Sequence, residues 1–130
     1  MSELERIMHI EDDPSIQEVA RVALEIVGGF TVLSCSSGAE GLEKLEAFAP
    51  HLILLDVMMP EMDGPETLAR LRETPTAANL PVVFMTAKVQ SHEITEYHQL
   101  SAAGVIIKPF DPMTLADQIR SIWNEARGQS

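Results

Sequence analysis

Cysteine is almost missing: Cys35 is the one thiol in 130 residues, which excludes an internal disulfide and a cysteine-built metal site and fits a reducing cytoplasm. Basic residues are scarce, 9 against 20 acidic ones, and the formal charge of -11 repels phosphate backbones and anionic lipid. Direct nucleic-acid binding is therefore not expected. No apolar run approaches the about 18 residues of a membrane span, and Met1-Ser2-Glu3-Leu4-Glu5-Arg6 puts acids where a secretory signal needs a basic stretch. Neither a membrane segment nor export is expected, and the reading is cytoplasmic. Repeats, linkers and low-complexity stretches are also lacking. What is present, 45% hydrophobic and 22% charged residues, suits a globular chain. At roughly 150 residues per domain this is one domain, 1–130, with a core over about 6–126 and no output domain.

Five short apolar runs alternate with stretches of helical period: Ile7–Ile10, Thr31–Cys35, Leu52–Val57, Val82–Thr86 and Val105–Ile107. They read as buried parallel strands. Between the first two, Ile16, Val19, Ala20, Ala23, Ile26 and Val27 form one apolar stripe on a helix that Pro14 suits at its first turn and Gly28-Gly29 ends. Ser36-Ser37 caps a second helix with Leu42 and Leu45 inward. A third begins near Pro65, carries Leu68 and Leu71, and stops before Pro75; a fourth, Ser91–Leu100, is polar and weakly patterned. The fifth opens after Asp111-Pro112 and buries Leu115, Ile119 and Ile122, and 127–130 read as a frayed tail. Right-handed crossovers make a (βα)5 chain one parallel sheet with helices on both faces, its ligand site beyond the carboxyl ends of the strands.

The strands end on residues a core would not choose: Glu11 and Asp12, then Asp56, Thr86 and Lys108. Three carboxylates on one rim repel one another unless a cation sits among them, and hard oxygen donors favour Mg2+. Lys108 supplies a positive point charge and Thr86 a hydroxyl donor, the means to hold a tetrahedral anion such as a phosphoryl group.

The fragments Ile10-Glu11-Asp12-Asp13-Pro14, Leu55-Asp56-Val57-Met58-Met59-Pro60-Glu61-Met62-Asp63-Gly64, Met85-Thr86-Ala87 and Lys108-Pro109-Phe110, in that order and each at a strand end, resemble the signature of a response-regulator receiver domain. The resemblance implies a flavodoxin-like three-layer α/β sandwich with a parallel five-stranded sheet in the order 2-1-3-4-5. It implies that Asp56 accepts a phosphoryl group from a sensor histidine kinase or histidine phosphotransfer protein. Glu11, Asp12, Asp56 and the Met58 carbonyl would hold Mg2+, with Thr86 and Lys108 on the phosphoryl oxygens. Such a protein is a signalling switch and not an enzyme beyond its own phosphorylation and dephosphorylation. It acts on an unidentified downstream protein, and the fourth helix, fifth strand and fifth helix form the face for partners or a homodimer. Val105 stands where many relatives carry an aromatic switch residue, so the segment Ala87–Ile94 is the expected moving part.

Two other readings remain. One is a pseudo-receiver that binds partners without phosphorylation. The other is an aspartate-nucleophile phosphatase, which needs a second Asp two residues after the nucleophile, where this chain has Met58. Several conspicuous residues take plain roles: Asp13 as a helix N-terminal acid, Asp63-Gly64 as turn residues, His9, His51, His92 and His98 as core or surface, and Cys35 and Trp123 as packing. Met58, Met59 and Met62 read as apolar cover for the site.

Overall fold

The computed structural model describes residues 3–87, 96–97 and 99–128. Five strands, β1 (Arg6–Ile10), β2 (Thr31–Cys35), β3 (Leu52–Asp56), β4 (Val82–Thr86) and β5 (Gly104–Ile107), pair in parallel in the order β2-β1-β3-β4-β5. They are the five apolar runs, with ends within one residue of those predicted. Alternation along them splits the core in two. Met8, Ile10, Ile53, Leu55, Val82 and Phe84 face one side, and Ile7, Leu52, Leu54, Val83 and Met85 face the other.

Helices α2 (Gly38–Phe48) and α3 (Gly64–Arg72) cover the first side through Leu45, Leu68 and Leu71. Helix α1 (Pro14–Val22) and the C-terminal helix (Leu115–Gly128) cover the second through Ala20, Leu115, Ala116 and Ile119. Each start has a local cause. Asp13 caps α1 by accepting the N–H groups of Ser15 and Ile16, Ser37 caps α2 at Glu40 N–H, and Asp63 caps α3 at Glu66 N–H. Asp63 is thus a helix cap where the sequence suggested only a turn. Gly41 lets α2 lie against β1, since a Cβ there would meet Ile10 Cδ1 at 2.5 Å.

The inward face of α1 differs from the expected stripe. Ala20, Ala23 and Leu24 are buried, Val19 and Val27 are half exposed, and Ile26 is 78% exposed. The buried face centres near Ala20, which brings in Leu24 and leaves Val19 and Ile26 on its flank. The helix then closes in a π turn, Ala23–Val27, in which Gly28 N–H reaches the Ala23 carbonyl five residues back at 3.2 Å. This wider turn rotates Val27 off the face.

The expected frayed tail is corrected at its start: Arg127 and Gly128 continue the C-terminal helix, with the Arg127 guanidinium 5.2 Å from the Trp123 ring centroid, and 129–130 lie outside the described residues. That helix is joined to the end of α1 by Arg120, which donates to the Gly28 carbonyl and lies over the Phe30 ring. Trp123 and Ile122 pack at the edge of the core, and Cys35 is fully buried, where desolvation lifts its thiol pKa to about 11. Of the expected fourth helix, Glu96, Tyr97 and Gln99 are helical. Residues 88–95, which hold most of the proposed moving segment, lie outside the described residues, as do His92 and His98.

Candidate functional site

Three backbone bonds carry the ladders one residue past the strands and fix the rim: Glu11 N–H to the Cys35 carbonyl at 2.9 Å, Val57 N–H to Met85 at 3.1 Å, and Lys108 N–H to Thr86 at 2.9 Å. The loop after β1 has a further clamp. The Gln17 side-chain amide, one turn into α1, donates to the carbonyls of Glu11 and Cys35 and to Ser36 Oγ. Sequence reading did not single out Gln17, because a glutamine on an amphipathic helix looks like ordinary polar surface. The other side of the site rests on Gly64. A Cβ there would lie 2.7 Å from the Asp56 carbonyl oxygen and 2.8 Å from Val57 Cα, so only glycine lets α3 start against the end of β3.

On this frame Glu11, Asp12 and Asp56 come together, each offering a carboxylate oxygen within 4.8 Å of the others. Glu11 and Asp56 are buried and Asp12 is exposed. Lys108 joins them: its Nζ donates to Asp56 Oδ1 at 2.8 Å and lies 2.9 Å from Glu11 Oε1. The Glu11 contact is a buried ion pair, so one ammonium is shared between two buried carboxylates. Thr86 ends β4 buried, in register with Ile107 beside Lys108. Met58 follows in the loop after β3 at 76% exposure, so it does not cover the site as expected, whereas Met59 packs against the core.

The electrostatics follow from burial. Desolvation raises the Glu11 pKa to about 7; Lys108 pulls it down and the Asp56 charge pushes it up again. The carboxylate repulsion that the sequence pointed to contributes, and burial exceeds it. For Lys108, burial works against the ammonium, but the bonds to Asp56 and Glu11 outweigh it and its pKa is raised. His9, two residues before Glu11, is fully buried with no hydrogen-bond partner on either ring nitrogen, and desolvation followed by the Lys108 charge lowers its pKa to about 4. It is a neutral core residue.

This donor set fits a small hard cation. Three carboxylates converge with one ammonium to offset them, and no thiol or imidazole competes among the described residues of the cluster.

Residues 7–120 match the response regulator receiver domain family. The chain is 32% identical over 122 residues to the response regulator Rre1 of Synechocystis and 34% identical over 122 residues to the transcriptional regulatory protein CseB of Streptomyces avermitilis. Each alignment takes in 94% of this chain but only 53% and 50% of those proteins, so the chain spans about half the length of these relatives. Among solved structures, the chemotaxis protein CheY4 of Vibrio cholerae superposes with a TM-score of 0.86 at 25% identity, covering 92% of this chain and 99% of that one. The N-terminal domain of a response regulator receiver protein from Methanoculleus marisnigri gives 0.75 at 38% identity, covering 92% and 96%.

Proposed function

Because the chain belongs to the response-regulator receiver family of two-component signalling, we propose that it is a phosphorylation switch whose acceptor is Asp56 and whose donor is a phosphohistidine on a sensor histidine kinase or histidine phosphotransfer protein. One observation carries this reading. Asp56 is a buried carboxylate at the end of the central strand, with a lysine ammonium 2.8 Å away and two further carboxylates beside it. A structural aspartate has no use for that company.

In the transfer, an Asp56 carboxylate oxygen forms a bond to phosphorus as the bond from phosphorus to the donor imidazole nitrogen breaks, and the nitrogen keeps the electron pair. Lys108 moves its ammonium from the Asp56 carboxylate to a phosphoryl oxygen, and the Thr86 hydroxyl donates to another. Glu11, Asp12, Asp56 and the Met58 carbonyl are the residues that would hold Mg2+, which when bound offsets the crowded negative charge of carboxylates and phosphoryl oxygens. Gln17 and Gly64 keep the acid pair and the end of β3 in register. The Glu11 side chain is buried and the Asp12 side chain is exposed, so Asp12 is the ligand that can adjust to the ion.

Residues 1–130 then act as one cytoplasmic receiver unit that signals by changing its surface for a downstream protein. The face beside β5 supports such contacts, with Ile107 54% and Leu100 46% exposed. The test is direct. Incubated with acetyl phosphate and Mg2+, the protein gains the mass of one phosphoryl group, and Asp56→Asn does not. Equal phosphorylation of Asp56→Asn overturns the assignment.

A further inference from the structure

Asp12 is the exposed member of the acid pair, yet its backbone is held on both sides. The peptide group that joins it to Glu11 presents the Glu11 carbonyl, which accepts a hydrogen bond from the Gln17 side-chain amide. The peptide group that follows carries the Asp13 N–H, which donates to Glu11 Oε2 at 3.2 Å. Each peptide group is planar, so pinning the two planes restricts φ and ψ of Asp12, and with them the direction of its Cα–Cβ bond. The side chain can still turn about its own bonds, but from a fixed origin.

The two pins differ in kind. The Asp13 bond ends on the Glu11 carboxylate, the group that would itself ligate a cation, so ion and N–H draw on one acceptor. Lys108 Nζ, 2.9 Å from Glu11 Oε1, loads that carboxylate further. The Gln17 bond uses a backbone carbonyl and no carboxylate. It is the restraint on Asp12 that persists when the carboxylates turn to an ion.

Gln17 is itself well fixed. It is half-buried one turn into α1, and its backbone N–H reaches the Asp13 carbonyl at 3.0 Å. Its Nε2 also lies 3.3 Å from the Cys35 carbonyl and 3.2 Å from Ser36 Oγ. Carbonyl oxygens only accept, so two of them beside this amide require that its nitrogen, not its oxygen, faces Glu11. The Cys35 carbonyl receives the Glu11 N–H as well, at 2.9 Å. Both backbone groups of Glu11 are thereby tied to the end of β2, one directly and one through Gln17.

We infer that Gln17 is a positioning residue for the cation site: from outside the ligand set it aims Asp12, and so favours a small ion of strict geometry over a larger, more tolerant one. The inference rests on the metal site of the proposed function and adds the source of its selectivity. Mg2+ requires near-octahedral ligands at about 2.0 to 2.1 Å, whereas Ca2+ accepts irregular sets at about 2.3 to 2.6 Å. A loosened Asp12 therefore costs Mg2+ more than Ca2+.

The 15N-labelled full chain is titrated with MgCl2 and, separately, with CaCl2 while the backbone amides of Asp13 and Val57 are followed. Gln17→Ala removes the amide and leaves a strong helix former, and Gln17→Met keeps the bulk without the donors, so either reads the result if the other does not fold. The expected result is a Mg2+ dissociation constant raised at least fivefold, with the preference for Mg2+ over Ca2+ falling at least threefold. Unchanged Mg2+ affinity in a folded variant overturns the inference. An equal loss for both ions also overturns it, since that is what a purely structural role gives. Failure of the parent to bind Mg2+ overturns the metal site itself and this inference with it.

Discussion

His9 and Glu11 lie two residues apart on the same buried strand end and titrate in opposite senses. The His9 pKa falls to about 4 from an ordinary 6.5, so between those pH values the unfolded chain holds a proton there that the native chain lacks, and stability drops as the solution is acidified. The Glu11 pKa rises to about 7 from 4.5, so in the metal-free protein the native chain holds the extra proton, and stability drops as pH rises through that window. Each contributes a slope of about 1.4 kcal/mol per pH unit, and over pH 4.5 to 6.5 the two largely cancel. Urea unfolding without metal at pH 4.5, 5.5 and 6.5 checks this. Relative to the parent, His9→Leu becomes more sensitive to rising pH and Glu11→Gln more sensitive to falling pH; parallel curves for all three contradict the assignment. At this scale the sequence displayed the acid pair, Asp56, Thr86 and Lys108. It could not display the seat of the Lys108 ammonium, because that depends on which partners are desolvated beside it, and nothing in β1 marks His9 as lacking a partner.

Among the elements, strands were the most legible, since a five-residue buried run flanked by Gly, Pro or Asp has few other uses. Helix α1 was less so. Ile26 and Leu24 are both large and apolar and sit two positions apart, so a shift of the buried face by part of a turn exchanges their roles. The π turn at Ala23–Val27 leaves no compositional mark. This assignment has a plain energetic consequence. Leu24→Ala empties a fully buried position and costs about 2 to 4 kcal/mol, whereas Ile26→Ser, at 78% exposure, changes stability by no more than about 0.5 kcal/mol. Chemical denaturation of the two variants reads the difference; comparable losses would restore the original stripe. The start of the C-terminal tail was misjudged for a similar reason, as Arg127 continues the helix and lies over Trp123, a contact made by side chains four residues apart that charge and polarity alone do not announce.

For the whole molecule, the proposed Mg2+ site would link metal binding to folding. The unfolded chain cannot bring Glu11, Asp12 and Asp56 within 4.8 Å of one another, so on the proposed metal site Mg2+ at one hundred times its dissociation constant is expected to stabilise the native state by about 2.7 kcal/mol. Asp12→Ala removes the exposed ligand and with it most of that gain, read as the loss of the Mg2+-dependent rise in unfolding midpoint; an undiminished rise places the ion elsewhere.

The central claim is that the phosphoryl group of this receiver resides on Asp56. An aspartyl phosphate is an acyl phosphate, and borohydride reduces it to homoserine while leaving unmodified carboxylates alone. The protein is phosphorylated with acetyl phosphate and Mg2+, reduced, digested and sequenced by mass spectrometry. The account predicts homoserine in place of Asp56 and at no other acid. Homoserine at Asp12, Asp13 or Asp63, with Asp56 intact, would contradict it.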